Sequence, residues 1–231
     1  MGSLQRAQSI MFEGTIVPVI MASMRLFPDG LVVASGIYAL ITLSFANGIF
    51  FMSMCEASVV YRIIQSFSAF VGIFGGSYVT YGSSRTETCR SGFTSHSEGP
   101  LGLSMFGNKT NDYLFPSSPI FMFTTAATYL FTTLNFQSQE LEALGPAYSS
   151  RYYSSAALLL VLLGIIATFR MVYECDSFSS VMGSMAIGLI LGYLLVLQNA
   201  LLFGPSSINM IGIPLLRNKT VDGKKIYVCP K

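Results

Sequence analysis

The side chains that could do chemistry are few, and their spacing does not favour it. The only histidine, His96, sits in a Ser/Gly-rich stretch where a solvated loop residue is the ordinary outcome. A histidine-based metal site or nucleophile–base pair therefore has little material. The four cysteines, Cys55, Cys89, Cys175 and Cys229, form no C-x-x-C pair. Their spacing fits neither a zinc site nor a disulfide-rich small fold. Glu140 and Glu142 read as the start of a surface helix. Serine is abundant, but there is no G-x-S-x-G elbow, no P-loop and no dinucleotide fingerprint. The expectation is a protein that is not an enzyme, with no catalytic residues, no cofactor and no metal.

The clearest constellation concerns packing. Ser180, Ser184, Gly188 and Gly192 recur every four residues and so share one helix face. Small residues let a second helix approach closely, and Gly188 to Gly192 is a GxxxG pair. Gly72 and Gly76 repeat the pattern upstream. These six residues are the expected helix-packing sites, against partners that the spacing does not identify.

The elements that must carry these faces are long and apolar. Of 231 residues, 52% are apolar and only 10% are charged, whereas a soluble domain carries about 25% charged residues. Too few charges remain for a water-facing surface, which points to a lipid-facing one. Spanning a bilayer takes about 20 predominantly apolar residues. The sequence predicts four such spans, at 31–55, 63–81, 154–169 and 182–203. The last lies inside the charge-free run from Ser177 to Leu216. Glu56 and Arg62 read as a solvated connection between the first two, and no charge lies mid-span. A Thr-rich stretch, 120–134, is a fifth candidate span but short for one; a re-entrant, interfacial or buried helix within a polar loop, 82–153, is the alternative. Residues 1–30 read as a retained, interfacial N-terminal segment, because Glu13 and Pro18 interrupt the apolar run that follows Arg6. Residues 204–231 form a basic tail in which Asp222-Gly223 signals a turn. The fold class is thus all-α, a polytopic membrane protein of two transmembrane hairpins, 31–81 and 154–203.

Lysine and arginine near span ends set orientation. With four spans, Arg62 and Arg170 lie on one side and the other 11 basic residues on the opposite side. Both termini and the middle loop are then cytosolic. The sequons at Asn108 and Asn218 would carry no glycan there, and Cys89 and Cys229 would be free thiols opposite Cys175. The net charge of +2 provides no field to steer the chain to nucleic acid.

The segment Ile208 to Lys231, INMIGIPLLRNKTVDGKKIYVCPK, resembles the ends of multi-span membrane proteins of large double-stranded DNA viruses of the algal-virus type. GIPLLRNKT, a turn and IYVCP carry the resemblance, over about a tenth of the chain. It implies a virion component in the inner membrane beneath the capsid, a minor capsid protein tethering that membrane to the shell. The expected function is a structural scaffold whose segments 82–118 and 217–231 dock on other membrane or capsid proteins in a larger assembly. An accessory subunit of a respiratory or photosynthetic complex, in an organelle or other cellular membrane, fits the same features. A passive channel is the third reading.

Overall fold

A computed structural model describes residues 17–71, 115–138, 146–173, 175–210, 220–221 and 224–225. Among them five α-helices carry the fold: α1 (Val17–Thr42), α2 (Phe45–Val71), α3 (Ser118–Phe136), α4 (Pro146–Val172) and α5 (Phe178–Phe203). A 3-10 turn, Pro205–Ile208, follows α5. A two-residue antiparallel ladder pairs Thr220 with Lys225 and Val221 with Lys224, on either side of Asp222-Gly223.

The first hairpin shows how local chemistry shapes the chain. α1 runs through Pro28 and stops at Thr42. Leu43 takes φ +48°, the left-handed conformation that ends many helices and that an L side chain adopts at a cost. The Ser44 carbonyl then accepts the first bond of α2 from the Gly48 amide at 3.0 Å. Across this two-residue link the Asn47 side chain donates to the Thr42 hydroxyl at 2.8 Å, and that hydroxyl donates to the Tyr38 carbonyl at 2.8 Å. The turn is thus tied to both helices.

Ring contacts set the direction of each helix. Phe27 of α1 packs on Phe123 and Tyr61 of α2 on Phe121, both near the start of α3. Phe50 packs on Tyr129 further along α3, and Phe45 meets Phe203 at the far end of α5. Leu163, Ile166 and Ala167 of α4 join Ile120 and Phe123 in one core cluster, so α4 runs against α3. Consecutive helices therefore alternate in direction through all five. α3 is the axis: Ser118 to Ala126, Tyr129, Thr132 and Thr133 are buried. A helix enclosed on most sides needs no polar stripe. Its threonines persist because some hydroxyls bond their own helix, Thr125 to the Phe121 carbonyl and Thr133 to the Leu130 carbonyl.

This layout corrects the expected one in several places. The stretch 31–55 is not one helix: it is cut at Leu43 and Ser44. The expected connection containing Glu56 and Arg62 is helical and lies inside α2, which ends its described course at Val71, so the rest of 63–81 lies outside the described residues. The short helix expected at 120–134 is present as α3, longer at Ser118–Phe136, and the first two turns of α4 also fall inside the expected polar loop 82–153. Charges do enter the helices, since Asp29, Glu56 and Arg62 lie within α1 and α2. The physical reason is that the break at Leu43 has no Gly, Pro or charge to mark it, whereas Glu56 looked like a span end.

Two helices, Tyr153–Val172 and Phe178–Phe203, are long and apolar enough to cross a membrane. The apolar windows of these two are only 17% and 39% buried, respectively.

The strained link gives a first prediction. Leu43 is 87% exposed, so its side chain contributes little packing. Leu43→Gly removes a left-handed penalty of about 1 kcal/mol. The expected result is a thermal midpoint in detergent equal to or above that of the parent, while Leu43→Pro lowers it.

Candidate functional site

The small-residue face of α5 lies on α3. Ser184, Gly188 and Gly192 are buried, and each meets α3 one turn further along. The Ser117 amide donates to Ser184 Oγ at 2.8 Å. A Cβ added to Gly188 would lie 2.9 Å from the Phe121 carbonyl oxygen, and one added to Gly192 would lie 2.5 Å from that of Thr125. Each of these pairs is separated by 67 residues. The two helices therefore run parallel in constant register over more than two turns, with backbone against backbone. Ser180 is buried at the start of this seam, where its carbonyl accepts from Ser184 Oγ at 2.7 Å. Gly72 and Gly76 lie outside the described residues.

Each end of the seam carries a polar cluster. At the first end, Arg170 of α4 pairs with Asp176 in the α4–α5 turn, with side chains 7% and 0% exposed. Ser117 Oγ donates to the same Asp176 oxygen at 2.6 Å. The Cys175 and Asp176 amides return to the Arg170 carbonyl at 2.9 and 3.3 Å, which closes the turn. Ser177 caps α5 by accepting from the Ser180 amide at 3.2 Å. The second carboxylate oxygen of Asp176 is buried without a partner. The structure buries the Arg170–Asp176 pair, and Cys175 beside it is disulfide-bonded. Cys55 remains a free thiol.

At the second end, the Asn199 amide donates to Ser53 Oγ at 2.8 Å and to Tyr129 Oη at 3.0 Å. Ser207 of the 3-10 turn donates to the Asn199 carbonyl at 3.1 Å and to the Gly204 carbonyl at 2.7 Å. Four segments are thus joined through one asparagine. Just outside, the Gln198 amide donates to both oxygens of Glu56, at 3.2 and 3.1 Å. Glu56 shares the outward face of α2 with the exposed Met52, Val59 and Ile63. Its carboxylate is thereby partnered in otherwise apolar surroundings.

Chemically these clusters bind the helices to each other. Neither presents a nucleophile beside a base, and among the described residues no group of His, Cys, Asp or Glu could hold a metal ion. His96, Glu140 and Glu142 lie outside the described residues. Sequence spacing carries no sign that Asn199 meets Ser53 and Tyr129 or that Gln198 meets Glu56. The pairing of Arg170 with Asp176, six residues apart across a turn, was the one available signal.

Two predictions follow from this packing. Gly192→Ala forces a Cβ into the Thr125 backbone and should cost at least about 2 kcal/mol, in the range of overpacked interiors. Gly164→Ala, with nothing within 4 Å of the new Cβ, should be neutral or stabilising by up to about 1 kcal/mol; chemical denaturation in detergent compares the two. Arg170→Met leaves Asp176 buried without its cation and should destabilise by about 3–5 kcal/mol. The double variant Arg170→Met/Asp176→Leu should recover most of that loss in the same assay. No family model, curated protein or solved structure matches this chain.

Proposed function

We propose that the protein is an integral membrane protein whose five helices all cross the bilayer, and that its role is structural rather than enzymatic. The observation that carries this reading is the inverted distribution of polarity. The ion pair and the asparagine network are buried, while large apolar side chains such as Leu40, Leu160, Ile190 and Leu201 are more than 60% exposed. Soluble monomers rarely expose contiguous apolar patches above a few hundred Å². In hydrocarbon that surface is the matched one, and polar groups belong inside.

α3 supports the count of five. At 19 residues it rises about 28 Å, close to the ~30 Å hydrocarbon thickness, and it runs parallel to α5 along the seam. Five crossings remove the strong charge asymmetry of a four-span chain. By chain order, seven of the 13 lysines and arginines fall at the Asp176 end and six at the other. Charge alone then gives no orientation, and the sequons at Asn108 and Asn218 face opposite sides.

A bundle whose described polar clusters bind its helices to one another suits a scaffold that tethers a membrane to neighbouring proteins through segments 82–118 and 217–231. The resemblance at 208–231 is what favours a virion, with an inner membrane beneath a capsid shell, as the assembly. α3 fills the axis along which a single-chain pore would run, which favours the scaffold over a channel.

Glycosylatable tags fused separately to the two termini test the topology. Five crossings predict modification of one tag and protection of the other; both modified or both protected means an even number of crossings. For the role, crosslinking mass spectrometry on the native membrane should return partner contacts to segments 82–118 and 217–231. A purified protein that stays monomeric and captures nothing from its own assembly overturns the scaffold.

A further inference from the structure

Cys175 is 3% exposed in the turn between α4 and α5, and it is disulfide-bonded. The turn holds it in place, since its amide donates to the Arg170 carbonyl at 2.9 Å. Of the four cysteines in the chain, Cys55 is a free thiol. The partner within the chain is therefore Cys89 or Cys229, both outside the described residues. The described helices separate these two. Ser117, just before α3, bonds Asp176, so α3 starts beside Cys175. α2 runs toward the same end: Tyr61 packs on Phe121 near the start of α3, whereas Phe45 at the start of α2 meets Phe203. The chain thus leaves α2 and enters α3 at the Cys175 end, and Cys89 lies between the two in sequence. Cys229 follows α5 instead, whose 26 residues carry the chain about 39 Å away.

We propose that Cys175 is joined to Cys89, and that this end of the bundle faces an oxidising compartment. The proposal rests on the five-crossing reading above and adds an orientation, which charge alone left open. With a bilayer around the helices, Cys229 and Cys175 stand on opposite sides of the hydrocarbon, and a bond between them has no route. The four-span expectation set Cys89 and Cys175 apart; five crossings bring them to one side. Disulfides persist in extracellular, lumenal and periplasmic compartments, while cytosolic thiols are kept reduced. The chain before α1 then lies on the oxidising side and the chain after α5 on the reducing side. Closing the bond takes two protons and two electrons from the two thiols. The acceptor is the disulfide form of a thiol–disulfide oxidoreductase, which leaves as a dithiol. The product ties the segment between α2 and α3 to the turn that buries Arg170 and Asp176.

The test uses the full-length protein expressed in eukaryotic cells. Membranes are denatured in N-ethylmaleimide without reductant, digested, and the peptides mapped by mass spectrometry. A peptide pair linking Cys175 to Cys89 is expected, with the maleimide on Cys55. In Cys89→Ser, Cys175 should take the maleimide in most molecules; in Cys229→Ser it should stay linked. Cys175 carrying the maleimide in the parent, or linked to any cysteine other than Cys89, overturns the pairing. The glycosylatable terminal tags read the orientation separately, because glycans are added on the lumenal side. The tag before α1 should be modified and the tag after α5 protected. The reverse pattern overturns the oxidising side while five crossings stand. Both tags modified, or both protected, removes the five-crossing reading and the orientation with it.

Discussion

The near contact of two backbones, α3 and α5, is the constraint on which the rest of the bundle depends. At Gly188 and Gly192 the carbonyl oxygens of Phe121 and Thr125 occupy the space a Cβ would need. For helices in a bilayer no hydrophobic force drives association, so there packing at this range, with many weak contacts per turn, would be the main source of it. Carbonyl oxygens facing glycine Cα atoms add weak C–H···O attraction. The constant register from Ser117–Ser184 to Thr125–Gly192 means that one helix cannot slide on the other without driving side chains into backbone. With α3 and α5 joined, α3 becomes the axis, and the α1–α2 hairpin and α4 pack around what it leaves open.

Parts of this arrangement are legible in the sequence. The four-residue spacing of Ser180, Ser184, Gly188 and Gly192 is visible, and three of them line the α3 interface. Nothing in that spacing identifies α3 as the opposing helix, because the matching surface on α3 is made of carbonyl oxygens and threonines rather than a glycine pattern. α3 itself is hidden by its composition: Thr124, Thr125, Thr132 and Thr133 lower its hydropathy below that of a lipid-facing span. A helix screened from lipid by its neighbours has no need of that hydropathy. The Leu43 break is invisible for the opposite reason, since an apolar run continues through it and a leucine occupies the left-handed position where glycine is the usual marker.

The charges were the least readable feature. Counted one by one, Arg170 and Asp176 look like a solvated turn, and Glu56 looks like the end of a span. Their roles emerge only when distant elements converge, as when Ser117 bonds Asp176 across 59 residues and Gln198 bonds Glu56 across 142. A buried ion pair is a poor device for stability, because desolvation offsets much of the attraction. It is a better device for specificity: Asp176 satisfies Arg170 and Ser117 only when α3, α4 and the α4–α5 turn meet in one arrangement. The Asn199 network does the same at the other end for α2, α3, α5 and the 3-10 turn.

Between those two clusters the bundle divides unevenly. α3 and α5 form a tight pair clamped at both ends, and α2 is held to α5 through Ser53 and Glu56. α4 differs. Its charge contact is at its final turn, its outer face carries the exposed Leu158, Leu160, Val161 and Ile165, and its apolar window is only 17% buried. A helix that shares so little of its surface with its own chain depends on its surroundings for the rest. In a bilayer those surroundings are acyl chains or the helices of another protein. Thus α4 is the element whose position responds most to what surrounds the bundle, while the α3–α5 seam holds the rest of the fold in place.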